Sequence, residues 1–122
     1  LVVVAEGGDL HRHLPVDLPA HPATGIVPTP VTAEVDADSD TALAVGTRAE
    51  VTAFHHQGVR DVPSALRVVA RHASGLPLAV EAVAGSPVIA VQWHPEERLD
   101  DLRLFAAVVQ AAAAYMTGKV PA

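Results

Sequence analysis

Three short apolar runs, residues 66–71 (LRVVAR), 78–83 (LAVEAV) and 88–93 (VIAVQW), follow one another with little more than Ser74-Gly75 and Gly85-Ser86-Pro87 between them. Each is rich in β-branched residues, bounded by turn formers and too short for an ordinary helix, so the pattern predicts strands. The short spacing suits antiparallel neighbours, and any fold open to this chain has to contain that sheet.

The remaining elements are read around it. Residues 31–36 alternate apolar and polar and predict a half-buried strand. Asp38-Ser39-Asp40 can then cap a short helix over 41–45, closed by Gly46. Residues 50–54 form another strand pattern, running into the polar turn His55-His56-Gln57-Gly58. Residues 1–5, stopped by Gly7-Gly8, suit either a strand or the last turns of a buried helix, and we read them as a helix end. Residues 9–30 are rich in Pro and His and read as a long surface loop with one helical turn, anchored by Leu10, Leu14 and Leu18. Residues 100–116 carry Leu102, Leu104, Phe105, Val108, Val109, Ala112 and Tyr115 among alanines, a helix with an apolar side, and Gly118 stops it.

Composition narrows the class. Half of the 122 residues are hydrophobic and the mean hydropathy is +0.30, which fits one globular domain with a modest core. Eight basic residues, scattered singly, stand against 14 acidic ones for a net charge of −6, so a nucleic-acid footprint is not expected. Without cysteine the chain has no disulfide, thiolate metal site or thiol nucleophile of its own. No apolar stretch reaches membrane-spanning length and no signal peptide is evident, so a cytoplasmic location without a membrane partner is the expectation. The chain starts at Leu1, directly in apolar sequence, and reads as cut from a longer protein.

The candidate chemistry lies at strand ends. The run 88–93 delivers His94 and Glu96, with Pro95 between them to end the strand. Such a pair suits the base and orienting acid of a nucleophilic triad, although spacing alone favours a solvated strand end with a half-buried histidine. His55, His56 and Gln57 could hydrogen-bond a polar ligand or form a solvated turn. His11 and His13 share one side of an extended segment, but with no thiolate and no evident third ligand no metal site is assigned. Gly7-Gly8 lacks the further glycines and lysine of a phosphate loop and reads as a turn, Trp93 reads as core, and no cofactor is expected.

Taken in order and spacing, Thr52-Ala53-Phe54-His55-His56-Gln57, residues 66–71 and Gln92-Trp93-His94-Pro95-Glu96 resemble the C-terminal half of the gamma-glutamyl-gamma-aminobutyrate hydrolase family, of the class I glutamine amidotransferase-like superfamily. Residues 7–15 also look like the segment that follows that family's nucleophile helix. The resemblance implies a three-layer α/β/α fold, of which residues 1–122 are the C-terminal portion of a single domain, lacking the N-terminal strands and the nucleophile turn. It further implies a cysteine-dependent hydrolase of γ-glutamyl amides in which His94 is the general base and acid, Glu96 orients it, and His55, His56 and Gln57 lie near the substrate. Ala53 stands where serine is common in the family.

Half a catalytic site is then present, inactive alone, and the nucleophile has to come from a missing N-terminal half or a partner chain. An uncovered sheet edge predicts self-association or poor solubility. The competing expectation is a non-catalytic binding or interaction module, or a truncated pseudoenzyme.

Overall fold

The computed structural model describes residues 1–19, 21, 28–85 and 87–118. Its framework is a five-stranded antiparallel sheet in the order β3-β2-β5-β6-β7, formed by β2 (Thr29–Val35), β3 (Arg48–Ala53), β5 (Leu66–Arg71), β6 (Pro77–Ala82) and β7 (Ile89–Val91). A separate antiparallel pair joins β1 (Asp9–His11) to β4 (Gly58–Asp61). Four helices complete the described chain: α1 (Val2–Ala5), α2 (Leu14–Asp17), α3 (Asp40–Val45) and α4 (Arg103–Met116).

The three apolar runs do form consecutive antiparallel strands. Gly75, at φ +91°, closes the β5–β6 turn in a left-handed conformation that a side chain would oppose, and its N–H donates to the His72 carbonyl at 2.8 Å. Between Val68↔Val80 and Ala70↔Ala79 the register shifts by one residue, a bulge at Val69. Val69 is itself completely buried, and β6 is buried from Leu78 to Glu81, as befits a strand covered on both faces.

The larger core cluster gathers Val31, Ala33 and Val35 of β2, Val51 of β3, Val69, Leu78 and Trp93, with Leu104 of α4 packed against it. A smaller one joins Val3 of α1 to Leu66 and Val80, with Val59 of β4 alongside. Helix α3 is held at its start by two side chains. The Ser39 Oγ accepts from Ala42 N–H at 2.9 Å, as the capping pattern predicts. From β6, buried Glu81 accepts from Thr41 N–H at 2.7 Å and from the Thr41 hydroxyl at 2.6 Å.

Two expectations are corrected. The long loop is structured where it is described: residues 9–11 pair as a strand with β4, where only irregular chain is expected from the Pro- and His-rich composition, and residues 14–17 are the anticipated helical turn. The part of that loop at residues 20 and 22–27 lies outside the described residues. Helix α4 begins at Arg103 rather than residue 100, and none of its residues is buried; only Leu104, Ala107 and Ala114 are half-buried. Phe105, Val108, Val109 and Tyr115, read as part of the helix's apolar side, are exposed. No helix among the described residues is long and apolar enough to cross a membrane.

Candidate active site

Two strand ends meet here. Strand β3 ends at Ala53 and the chain runs on through Phe54-His55-His56-Gln57; β7 ends at Val91 and continues to His94, where Pro95 opens a 3₁₀ turn over Pro95–Glu97. The main chain joins them, because His94 N–H donates to the Thr52 carbonyl at 2.8 Å. The Phe54 and His94 rings then lie 6.3 Å apart, centroid to centroid.

The 3₁₀ turn folds Glu96 back on His94, whose Nδ1–H donates to Glu96 Oε1 at 2.7 Å. A carboxylate at Nδ1 fixes the tautomer in which Nε2 is free of its proton, and it stabilises the imidazolium once Nε2 takes one up. Glu96 is held below the usual carboxylate range, first by a hydrogen bond from its own backbone N–H and second by His94. Both side chains remain solvent-accessible, as a working acid–base pair requires. Trp93 beside them is buried in the core, as its sequence context suggests.

The three residues of the β3–β4 turn behave differently from the pair. His55 Nε2 stands 3.2 Å from Nε2 of buried His21, while His55 Nδ1–H donates to the Gln57 carbonyl at 2.9 Å. His56 Nε2 is 2.7 Å from His13 Nδ1, the Gln57 carboxamide donates to the Arg12 carbonyl at 3.3 Å, and Leu14 N–H donates to the His56 carbonyl at 3.1 Å. All three side chains thus reach the N-terminal segment, and His94 acts electrostatically on His55 as the least of the influences on it.

The structure adds His21, His72 and Ser74 to this neighbourhood. The His21 ring meets His72 edge-on at 4.9 Å, and the Ser74 hydroxyl lies 2.8 Å from His72 Nδ1 and 3.4 Å from His21 Nδ1. Burial, followed by the charges of His55 and His72, pushes the His21 pKa down to about 4. Burial also lowers His55, against an opposing hydrogen bond to Gln57. The only sequence signal for this cluster was the number of histidines, seven in all. His11, a discarded metal candidate, sits 3.7 Å from an Asp17 oxygen, and no group of three His, Asp or Glu among the described residues is arranged to hold a metal ion.

A cleft of about 290 Å³ opens beside the turn, between α1 and the β6–β7 edge, with Gln57 and Gln92 as its carboxamides and Val2, Leu10, Val80 and Ala90 among its apolar walls. Such a mixture of apolar wall and a few polar groups is characteristic of small-molecule sites.

Comparison with known proteins places this chain in a family. A Mycobacterium tuberculosis protein named as a glutamine amidotransferase, Rv2859c, is 42% identical over 114 residues, which are 92% of this chain and 37% of that protein. A Rickettsia prowazekii protein named as glutamine amidotransferase-like, RP404, is 42% identical over 65 residues, 51% of this chain and 23% of that one. The chain therefore spans less than two fifths of the length of these curated relatives. The fold is shared with a Thermoplasma acidophilum crystal structure described as that of a GMP synthase subunit, at a TM-score of 0.75 and 16% identity, over 95% of this chain and 54% of that one. The peptidase C26 family profile matches residues 1–96, from α1 to Glu96, and the chain belongs to that family.

Proposed function

We propose that residues 1–122 are the C-terminal portion of a glutamine amidotransferase-like domain that hydrolyses γ-glutamyl amide bonds, with γ-glutamyl-γ-aminobutyrate or a related compound as substrate. The observation that carries this reading is the 2.7 Å contact of His94 Nδ1 with Glu96 Oε1, on a histidine whose main chain is fixed to the end of β3. With Nδ1–H committed to Glu96, His94 Nε2 takes the proton of a cysteine thiol. The thiolate attacks the γ-carbonyl carbon, and the same Nε2–H is then given to the leaving amine as the C–N bond breaks. Water, deprotonated by Nε2, hydrolyses the thioester and returns the thiol.

This chain has no cysteine, so the nucleophile, its turn and the remaining strands of a three-layer α/β/α fold come from sequence outside it or from a partner chain. In this reading His55, His56 and Gln57 lie near the substrate; of the three, Gln57 lines the cleft beside β6 and β7, while His94 lies outside that lining.

The test is complementation. The chain is mixed with a separately expressed N-terminal portion of the Mycobacterium tuberculosis relative and offered a chromogenic γ-glutamyl anilide. Hydrolysis by the mixture alone, abolished by His94→Ala, is the expected result. Turnover by the isolated chain that survives His94→Ala refutes the mechanism.

The exposed Phe105, Val108, Val109 and Tyr115 favour a second reading, a non-catalytic interaction module whose α4 packs against another chain or a second copy. A stable complex that forms without any hydrolysis, in sedimentation and activity assays run on the same sample, would select it.

A further inference from the structure

The contacts of residues 12–19 and His21 with the β3–β4 turn are unusual in kind. Two of them are imidazole on imidazole, His13 Nδ1 to His56 Nε2 at 2.7 Å and His21 Nε2 to His55 Nε2 at 3.2 Å. Each such contact exists only while at least one ring nitrogen of the pair is unprotonated and accepts; two imidazolium rings present only donors and repel. His21 has just 2% of its surface exposed and is further enclosed by His72, so a charge placed there is largely withdrawn from water, and the charges that act on it among the described residues are those of His55 and His72.

We propose that these paired histidines form an acid-released latch, which docks residues 12–19 and His21 on the β3–β4 turn at neutral pH and frees them as the rings become protonated.

The charged groups that act on His21 are of one kind, while Asp17 of the docked segment faces His11 at 3.7 Å. His21 is acted on by His55 at the end of β3 and by His72 just beyond β5, with the neutral Ser74 hydroxyl as its other polar neighbour. His55 faces His21 and is influenced by the charge of His94, with which Glu96 is engaged. Protonation of His21 therefore meets imidazoles on each side. Two further hydrogen bonds would be released along with the rings, Leu14 N–H to the His56 carbonyl and the Gln57 carboxamide to the Arg12 carbonyl.

The sign follows from the direction of the shift. A histidine with a pKa of about 4 docked and 6.5 undocked binds more protons when undocked, so docking is fully favoured above pH 6.5 and weakens as pH falls toward 4. Between pH 7.5 and 5.0 this changes the docking equilibrium about 30-fold through His21 alone. His55, shifted in the same direction, adds to it.

Hydrogen exchange read amide by amide on the 122-residue chain tests the latch, with rates corrected for intrinsic pH dependence. Leu14, whose N–H is tied to the turn, should lose about 30-fold in protection from pH 7.5 to 5.0, while Val69 and Val80 in the central strands hold theirs. His21→Phe and His21→Gln, an apolar and a polar neutral replacement, should each reduce that loss severalfold. Equal protection of Leu14 at both pH values overturns the proposal. So does a loss shared equally by Val69 and Val80, or an undiminished loss in whichever variant folds.

Discussion

Replacing Thr41 by valine isolates one hydrogen bond while keeping the shape of the side chain. Thr41 is completely buried, and its hydroxyl donates to Glu81 Oε2 at 2.6 Å, with its own N–H on the same oxygen at 2.7 Å. Glu81 is 4% exposed, and its other oxygen takes Asp40 N–H at 3.3 Å and lies 3.7 Å from Arg67. Valine removes a charge-assisted bond from a carboxylate that water does not reach in compensation, at a cost of about 1.5–3 kcal/mol. The helix-propensity difference between Thr and Val is small beside that. The loss falls on a six-residue helix, too short to persist by itself, so it should spread to the core through Val45. Urea unfolding followed by the single tryptophan, Trp93 of the same cluster, is the assay. With an m-value of about 1.5 kcal/mol per M, the midpoint should fall by about 1–2 M. Thr117→Val, whose exposed hydroxyl donates to the Ala114 carbonyl at 3.0 Å, is the control and should cost less than about 0.5 kcal/mol. A Thr41→Val midpoint within about 0.3 M of the parent, at unchanged m, would mean that Glu81 is hydrated and the argument wrong.

Gly8→Ala and Gly58→Ala should differ although both positions are crowded. A Cβ at Gly8 would come within 2.3 Å of the Asp61 carbonyl oxygen, which cannot yield, whereas at Gly58 it meets only the tips of Leu76 and Leu14 at 2.9 Å and 3.3 Å. We expect Gly8→Ala to cost about 1–3 kcal/mol by thermal unfolding and Gly58→Ala less, and the reverse order would refute the packing account. Glu96 should titrate below 4.5 by carboxyl NMR, its contact with His94 being complete above that pH and lost as pH falls through the lowered value. His94→Ala should return that midpoint only part of the way to 4.5, since the backbone N–H of Glu96 is the larger cause; a full return would show that His94 dominates. In the complemented enzyme, Glu96→Gln should lower kcat about 100-fold with little change in KM, and an unchanged kcat would remove Glu96 from the mechanism.

What the sequence disclosed depended on range. Strands β5 and β6 were legible because apolar runs and a glycine turn are local signals, and α3 because Ser39 and Gly46 sit at its ends. The β1–β4 pair was not, since three residues without alternation find their partner some fifty positions away, with the Asp9–Arg60 ion pair beside them. The His94–Glu96 contact was legible as a spacing of two and needed only the 3₁₀ turn to close it. His21 gave no sign, because burial of a histidine in a proline-rich stretch depends on rings that arrive from β3 and β5. On α4 periodicity misled: alanines at 107 and 114 face inward with Leu104, where the larger residues were expected.

The bond from His94 N–H to the Thr52 carbonyl separates an address from its occupant. Because the main chain holds the position, deleting the imidazole leaves a notch that is still flanked by Phe54 and Glu96 rather than a collapsed strand end. Free imidazole is the natural molecule to fill it, and a His94→Ala protein becomes a receptacle into which bases of graded strength can be placed one after another. The proton transfer proposed for His94 could then be tuned from solution without altering another atom of the chain.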